Sequence, residues 1–272
     1  MTIAYLLLPT LAPAIVGSVL YGILAPILIW RTHKSHGFVP YVMITTFSIL
    51  RVIGFACRAA WSQQLDLGLT PLVYVATVFQ YVGFVLEVMA VVILKIGWIR
   101  VAIREGTELP RIENIGMTVL RVVVIIAQIL TIIGAVMFLV GIGSSRVPLI
   151  QTGANLKNAA YYILFVSTVI SLMLMTAYFI AHYPQGKWSG FALMMALYTF
   201  LLLKLCFRIA ALNFDLTHPT NTQEVYYYCL DALPEFLICI LAAVVDFSIV
   251  KNGFDPWKSK SNPADSEEKQ IV

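Results

Sequence analysis

Residues 119–142 read VLRVVVIIAQILTIIGAVMFLVGI, and this stretch decides the fold class. It holds no acidic residue, and its single base, Arg121, stands near its beginning. A helix needs about 20 predominantly apolar residues to cross the hydrocarbon core of a bilayer. The stretch therefore predicts a transmembrane helix, with Arg121 as an anchor at the membrane interface.

Six further segments of the chain have the same length and apolar character. The seven predicted spans are Leu6–Trp30, Tyr41–Trp61, Leu72–Trp98, Val119–Ile142, Ala159–Ile180, Phe191–Leu212 and Val225–Val250. Hydrophobic residues make up 60% of the 272 residues and charged residues 12%, whereas a soluble domain carries about 25% charged residues. We therefore predict an all-α, polytopic membrane protein. Residues 1–250 form one transmembrane domain, and residues 251–272 form a polar, disordered cytoplasmic tail.

The orientation in the membrane is predicted from the lysines and arginines outside the spans. Ten of them fall on one side: Arg31, Lys34, Arg100, Arg104, Arg111, Lys187, Lys251, Lys258, Lys260 and Lys269. The other side carries Arg146 and Lys157. Because loops rich in Lys and Arg stay in the cytoplasm, seven crossings predict an N-terminus outside and a C-terminus in the cytoplasm.

Ionisable residues within the spans are the candidate functional residues. Each costs at least about 2.5–3.5 kcal/mol at the bilayer centre and normally faces the bundle interior. The bases lie on helices two and six, and the acids lie on helices three and seven: Arg51, Arg58, Lys204, Arg208, Glu87, Asp231 and Glu235. Their helical spacing and matching depths predict partly buried ion pairs around a polar cavity that opens outward. Such a cavity suits a ligand or transport site; the alternative is that the pairs only fix helix packing.

Other residues in the spans have simpler interpretations. Asp246 and Lys95 lie near the predicted cytoplasmic ends of their helices, and we expect both to reach water by snorkelling. We expect no acid or base in the interiors of the fourth and fifth helices. Pro234, between Asp231 and Glu235, removes one backbone hydrogen bond and predicts a kink or hinge.

The sequence carries no signature of a cofactor or a metal site. All four histidines, His33, His36, His182 and His218, lie in predicted loops or at helix ends, which disfavours a haem within the bilayer. No two cysteines have the CxxC spacing of a structural zinc site, and HExxH, GxSxG and P-loop motifs are absent. No basic stretch interleaves with aromatic residues, as nucleic-acid binding would favour. We therefore expect membrane lipids and a small lipid-like molecule as partners, with no cofactor, metal or nucleic acid.

The region around the start of helix seven resembles a known family. Phe207-Arg208, Glu224, Tyr227-Tyr228 and Asp231-Ala232-Leu233-Pro234 are similar to the ending of the fungal RTA-like family. Members of that family are seven-helix proteins, regarded as lipid-translocating exporters and linked to resistance to toxic lipids and drugs. The resemblance implies a fungal source, and it implies that Arg208, Glu224 and Asp231 belong to a shared polar core.

The sequence departs from that family pattern at two positions. Ala211 stands where a Glu is frequent, and Glu235 stands where a Met is common. Leu233-Pro234-Glu235 and the stretch SILRVIG at residues 48–54 are more similar to a neighbouring, uncharacterised fungal seven-helix family.

Three functions are compatible with these residues. The leading hypothesis is a multi-pass protein that binds or translocates an amphipathic, lipid-like molecule, with the polar residues at its head group and apolar helix surfaces at its tail. The second is a seven-helix receptor, although helix three ends in Gly97-Trp98-Ile99-Arg100 without the acidic-Arg-Tyr signature. The third is an intramembrane enzyme, such as a cyclase of a fungal secondary-metabolite pathway, in which buried carboxylic acids protonate an apolar substrate. The neighbouring arginines weigh against the enzyme, because they favour the charged carboxylate.

Overall fold

The computed structural model describes residues 11–63, 71–104, 111–182, 188–213 and 224–245. Within these ranges the chain is helical and contains no strand. Six helices are unbroken: α1 (Leu11–Lys34), α2 (Val39–Ser62), α3 (Pro71–Arg104), α4 (Arg111–Gly143), α5 (Val147–His182) and α6 (Trp188–Asn213). The seventh helix, α7, consists of a short α-helix (Glu224–Tyr227), a π-helical segment (Tyr228–Ala232) and a longer α-helix (Leu233–Val244).

Seven helices in the described ranges are long and apolar enough to cross a membrane. This confirms the predicted number of spans: the chain is a multi-pass membrane protein, and its described part is all-helical. The outer faces of the helices display large apolar side chains, among them Ile23 at 60% and Met173 at 67% exposure. Lipid tails solvate such side chains without the penalty that water imposes. The tail predicted at residues 251–272 lies outside the described residues.

The largest departure from the predicted spans is at the start of α5. The sequence predicts a loop over residues 143–158, whereas the structure has a tight turn at residues 144–146 and a helix that begins at Val147. Pro148 suits the first turn of a helix, because the N–H groups there have no acceptor within the helix. Lys157 is consequently a buried residue of α5, not a loop residue.

Glycines let α4 and α5 pack with their backbones in close contact. A Cβ atom at Gly141 would lie 2.7 Å from the backbone nitrogen of Ile150, and one at Gly153 would lie 2.5 Å from the backbone nitrogen of Phe138. No larger residue fits these positions unless the helices separate. Small residues at helix interfaces are a common means of close approach in membranes, where lipid is as apolar as leucine.

Contacts between α6 and α7 show that these neighbouring helices run antiparallel. Arg208 of α6 pairs with Asp231 of α7. One turn earlier on α6, Lys204 pairs with Glu235, which lies one turn later on α7. The seventh helix thereby presents both of its inward acids to the two bases of the sixth.

The C-terminal end of α7 is anchored by α1 and α2. Arg31 of α1 donates hydrogen bonds to the carbonyls of Ala243 and Val244 at 3.2 and 3.1 Å. The Tyr41 hydroxyl of α2 donates to the Val245 carbonyl at 2.9 Å. Carbonyls at a helix C-terminus have no donors within the helix, and the positive charge of Arg31 also matches the negative end of the helix dipole.

The π-helical segment of α7 ends two residues before Pro234. Proline has no N–H to donate to the carbonyl one turn earlier, and the backbone here adopts the wider i→i+5 pattern, in which the Leu233 N–H donates to the Tyr228 carbonyl. The Tyr21 hydroxyl of α1 donates to the Ala232 carbonyl at 3.3 Å. The disruption predicted at Pro234 therefore takes the form of a π-helical turn held by a side chain of α1.

Candidate functional site

Six ionisable side chains from four helices meet inside the bundle. They form the ion-pair cluster, which consists of Arg51, Glu87, Lys204, Arg208, Asp231 and Glu235. Three are bases and three are acids, so the cluster is formally neutral. Because charges inside a membrane are tolerated chiefly when paired, this balance explains how six of them coexist at one place.

Glu235 of α7 is the centre of the ion-pair cluster. Its Oε1 accepts hydrogen bonds from Arg51 of α2 and from Lys204 of α6. Arg208 Nη2 lies 3.7 Å from the same oxygen. Lys204 also donates to Glu87 of α3. One carboxylate and one ammonium thereby connect four helices.

Asp231 and Arg208 form a two-pronged ion pair one turn nearer the start of α7. Arg208 Nε donates to Oδ1 at 2.6 Å, and Arg208 Nη2 donates to Oδ2 at 3.1 Å. This bidentate geometry orients both side chains. Gln80 Nε2 of α3 donates to Asp231 Oδ2 at 3.4 Å, and Arg208 Nη1 donates to the Tyr161 hydroxyl of α5 at 3.3 Å. The pair therefore also reaches α3 and α5.

Aromatic rings line the cationic side of the ion-pair cluster. The Phe84 ring centroid lies 4.5 Å from Lys204 Nζ and 4.2 Å from Arg208 Cζ. Arg51 Cζ lies 5.2 Å from the Phe47 centroid. These distances lie within the range in which the ring quadrupole attracts a cation, an effect that strengthens where water is excluded.

The ion-pair cluster is closed to solvent in this conformation. The side chains of Lys204, Glu87 and Glu235 are 0% exposed, and the other three members are at most 6% exposed. The prediction that these residues surround an outward-opening cavity is therefore wrong for this conformation. The opposite charges close onto one another, and the rings of Phe84 and Phe47 pack against them. Access for a ligand requires the helices to move.

The remaining predicted site residues lie outside the ion-pair cluster or outside the part of the chain that the structure describes. Arg58 is half-buried two turns beyond Arg51 on α2, and its guanidinium lies 4.7 Å from the ring centroid of Tyr227. Glu224 is the first residue of α7, but its side chain lies outside the described residues. Asp246 lies outside them entirely.

Sequence reasoning missed a buried base on α5. Lys157 is 3% exposed; its Nζ donates to the Tyr81 hydroxyl of α3 at 3.3 Å and lies 3.7 Å from the Phe138 ring centroid. The expectation that the interiors of the fourth and fifth helices hold no acid or base is wrong for the fifth, because α5 begins at Val147 and takes Lys157 into the bundle. Lys157 and Tyr161 are four residues apart and share a helix face, a signal that becomes visible once Pro148 is taken as a helix start.

Lys95 of α3 is a second buried base outside the ion-pair cluster. It is 3% exposed and donates to Ser171 Oγ of α5 at 2.9 Å. The expectation that Lys95 reaches water by snorkelling is wrong, because α3 continues for more than two turns to Arg104. Within the described residues, neither Lys95 nor Lys157 forms an ion pair.

Comparisons of the chain with protein-family models, with curated proteins and with solved structures found no match. The fold and the site define the class: a multi-pass helical membrane protein with a charge-balanced cluster buried in its bundle. The resemblance to the fungal RTA-like family stays a prediction. Chemically, the site offers hydrogen-bond donors and acceptors of both charges to a polar group that enters the bundle.

Proposed function

We propose that this membrane protein binds and translocates an amphipathic, lipid-like molecule. The ion-pair cluster binds the polar head group, and the apolar faces of the helices accommodate the tail. The observation that carries the proposal is the neutral network of six buried charges that joins four helices inside the bundle.

Helix packing alone does not require so costly an arrangement. Apolar side chains of similar volume often stabilise a protein as well as a buried ion pair does, or better, and this bundle already has an extensive apolar core. Ionisable residues that face the interior of a membrane bundle commonly mark the pathway of a substrate or an ion. The ion-pair cluster is therefore the part of the bundle best suited to a polar head group.

α7 is the helix best suited to open the ion-pair cluster. Its π-helical segment carries Asp231 and is followed closely by Pro234, and π-helical turns are frequent at functional sites. Glu235 has three bases near one oxygen, so a small shift of α7 exchanges one partner for another without leaving the carboxylate unpaired. A head group takes the place of the partner that is released.

The proposal is tested with variants of the Arg208–Asp231 pair in proteoliposomes. The variants are Arg208→Gln, Asp231→Asn and the double variant, each reconstituted at equal abundance. Transbilayer movement of fluorescent amphiphiles with a hexadecyl chain and a cationic, anionic or neutral head group is followed by quenching from one side. Arg121→Gln is the matched control, because Arg121 is an exposed arginine of α4.

We expect each single variant to slow the movement of at least one amphiphile about tenfold, which corresponds to about 1.4 kcal/mol of barrier. The Arg121→Gln variant should move the same amphiphile at the wild-type rate. The double variant removes both charges and should recover the stability that the single variants lose, but not the transport. A double variant with wild-type transport would show that the pair serves packing alone, and the proposal would be wrong.

A further inference from the structure

Lys157 is a buried base for which the described residues supply no acid. The ion-pair cluster is neutral by itself, so Lys157 adds an uncompensated positive charge to the bundle beside it. An unpaired charge inside a membrane bundle is costly, and such residues normally pair with one another or face a ligand pathway. A bound anion is the kind of partner that balances this charge.

The surroundings of Lys157 are rich in hydrogen-bond donors. Its ammonium has three N–H donors, and the Tyr81 hydroxyl is the one acceptor they meet among the described residues. Tyr161, four residues after Lys157 on the same face of α5, accepts a hydrogen bond from Arg208 at 3.3 Å. One ammonium, one guanidinium and two phenols thus lie close together, and they offer more hydrogen-bond donors than acceptors. A ligand with several acceptor oxygens fits these four side chains.

The position of Lys157 suits a head group inside the bundle. It lies about 15 Å along α5 from Val147, at 1.5 Å per residue, which is well within the span of residues 147–177. Lys157 itself is buried, whereas the Tyr81 beside it is half-buried and is the more accessible of the two side chains. Tyr161, on the same face of α5 as Lys157, contacts Arg208, which pairs with Asp231.

We propose that Lys157, Tyr81 and Tyr161, together with Arg208 of the ion-pair cluster, bind the oxyanion head group of the amphiphile, a carboxylate or a phosphate monoester. The inference rests on the proposed function and adds the charge of the head group. An oxyanion at Lys157 competes with Asp231 for Arg208, so its binding loosens the bidentate pair that closes the ion-pair cluster.

The test measures the binding of four radiolabelled probes with the same chain to the full-length protein in nanodiscs. Palmitate and palmitoyl lysophosphatidate carry the two oxyanions, and hexadecanol and hexadecylamine carry neutral and cationic head groups. The variants are Lys157→Met and Tyr81→Phe. Lys95→Met is the matched control, because Lys95 is equally buried and forms no ion pair with a described residue either, but contacts Ser171 instead.

We expect the wild-type protein to bind at least one oxyanion probe more tightly than hexadecanol and hexadecylamine. The oxyanion that binds more tightly identifies the head group as a carboxylate or a phosphate. Lys157→Met should weaken that binding about tenfold to a hundredfold, the range for a hydrogen bond to a charged group, and Tyr81→Phe should weaken it severalfold. Lys95→Met should leave it unchanged.

Several results would overturn the inference. One is an equal or greater affinity of the wild-type protein for hexadecylamine; another is an equal loss of binding in Lys157→Met and Lys95→Met. Either leaves amphiphile binding, and thus the proposed function, intact. If none of the four probes binds, the proposed function fails and the inference fails with it. If Lys157→Met does not fold, Tyr81→Phe and Lys157→Gln take its place. Wild-type affinity for the oxyanion probe in both folded variants would contradict the proposal.

Discussion

At the scale of single residues, Glu235 and Lys157 are opposite cases of a buried charge. Glu235 accepts hydrogen bonds from two bases, one on α2 and one on α6. Lys157 meets a phenol and aromatic rings, but no acid among the described residues. Removing the charge should therefore shift stability in opposite directions at the two positions.

The first prediction concerns Glu235→Gln, which keeps the size of the side chain and removes its charge. Arg51 then loses the acid it pairs with, and Lys204 keeps only Glu87. Breaking a buried pair from one side typically costs about 3–5 kcal/mol. We expect a free energy of unfolding in detergent that is lower by an amount of this order. A decrease no larger than that of the exposed-site control Arg121→Gln would contradict the central position given to Glu235.

The second prediction concerns Lys157→Met, which replaces the ammonium with an apolar group of similar length. In the absence of ligand, we expect the free energy of unfolding to rise by about 1 kcal/mol or more, because an unpaired buried charge is removed. Thermal unfolding of the purified protein without added amphiphile provides the measurement. A loss of stability would mean that the rings of Phe138 and Tyr81 stabilise the cation more than its burial costs.

At the scale of elements, the contact between α4 and α5 depends on glycine. The third prediction is that Gly141→Ala destabilises the protein by about 1–3 kcal/mol, the usual cost of overpacking, because its Cβ would meet the backbone of Ile150. Gly22→Ala on α1 is the matched control, since a Cβ there meets nothing within 4 Å. In that control, the free energy of unfolding should rise by about 0.5–1 kcal/mol, because alanine has a higher helix propensity than glycine. Equal effects of the two variants in denaturant unfolding would show that the close contact is not required.

The same contact also determines where Lys157 lies. A Cβ atom at Gly134 of α4 would lie 2.9 Å from both the backbone nitrogen and Cγ of Lys157. The base therefore enters the bundle directly beside a glycine of the neighbouring helix. A larger residue at position 134 would have to displace Lys157 from Tyr81. The packing of α4 against α5 therefore determines the position of Lys157.

At the scale of the whole molecule, we propose the orientation that the loop charges predict, with the N-terminus outside. The fourth prediction uses two serines in turns, Ser35 between α1 and α2 and Ser144 between α4 and α5. In intact cells, a membrane-impermeant maleimide should label Ser144→Cys, and it should label Ser35→Cys only after permeabilisation. The wild-type protein, whose four cysteines are Cys57, Cys206, Cys229 and Cys239, gives the background. The reverse labelling pattern would overturn the orientation.

The sequence by itself determined what depends on local composition. Seven apolar segments of spanning length can be counted without knowing how they pack, because the hydrocarbon thickness sets the length of each one separately. The four-residue spacing of Lys204 and Arg208, and of Asp231 and Glu235, likewise places each pair on one face of a single helix.

Only the tertiary structure decided which charges meet and which remain without an acid among the described residues. The sharing of Glu235 by α2 and α6, the burial of Lys157 and Lys95, and the closed state of the ion-pair cluster depend on which helices are neighbours and how each is rotated. Hydropathy and helical period describe one helix at a time, whereas neighbours and rotations follow from side-chain packing between helices, such as the glycine contact of α4 with α5. For that reason the sequence predicted charges inside the bundle, and the fold assigned their partners.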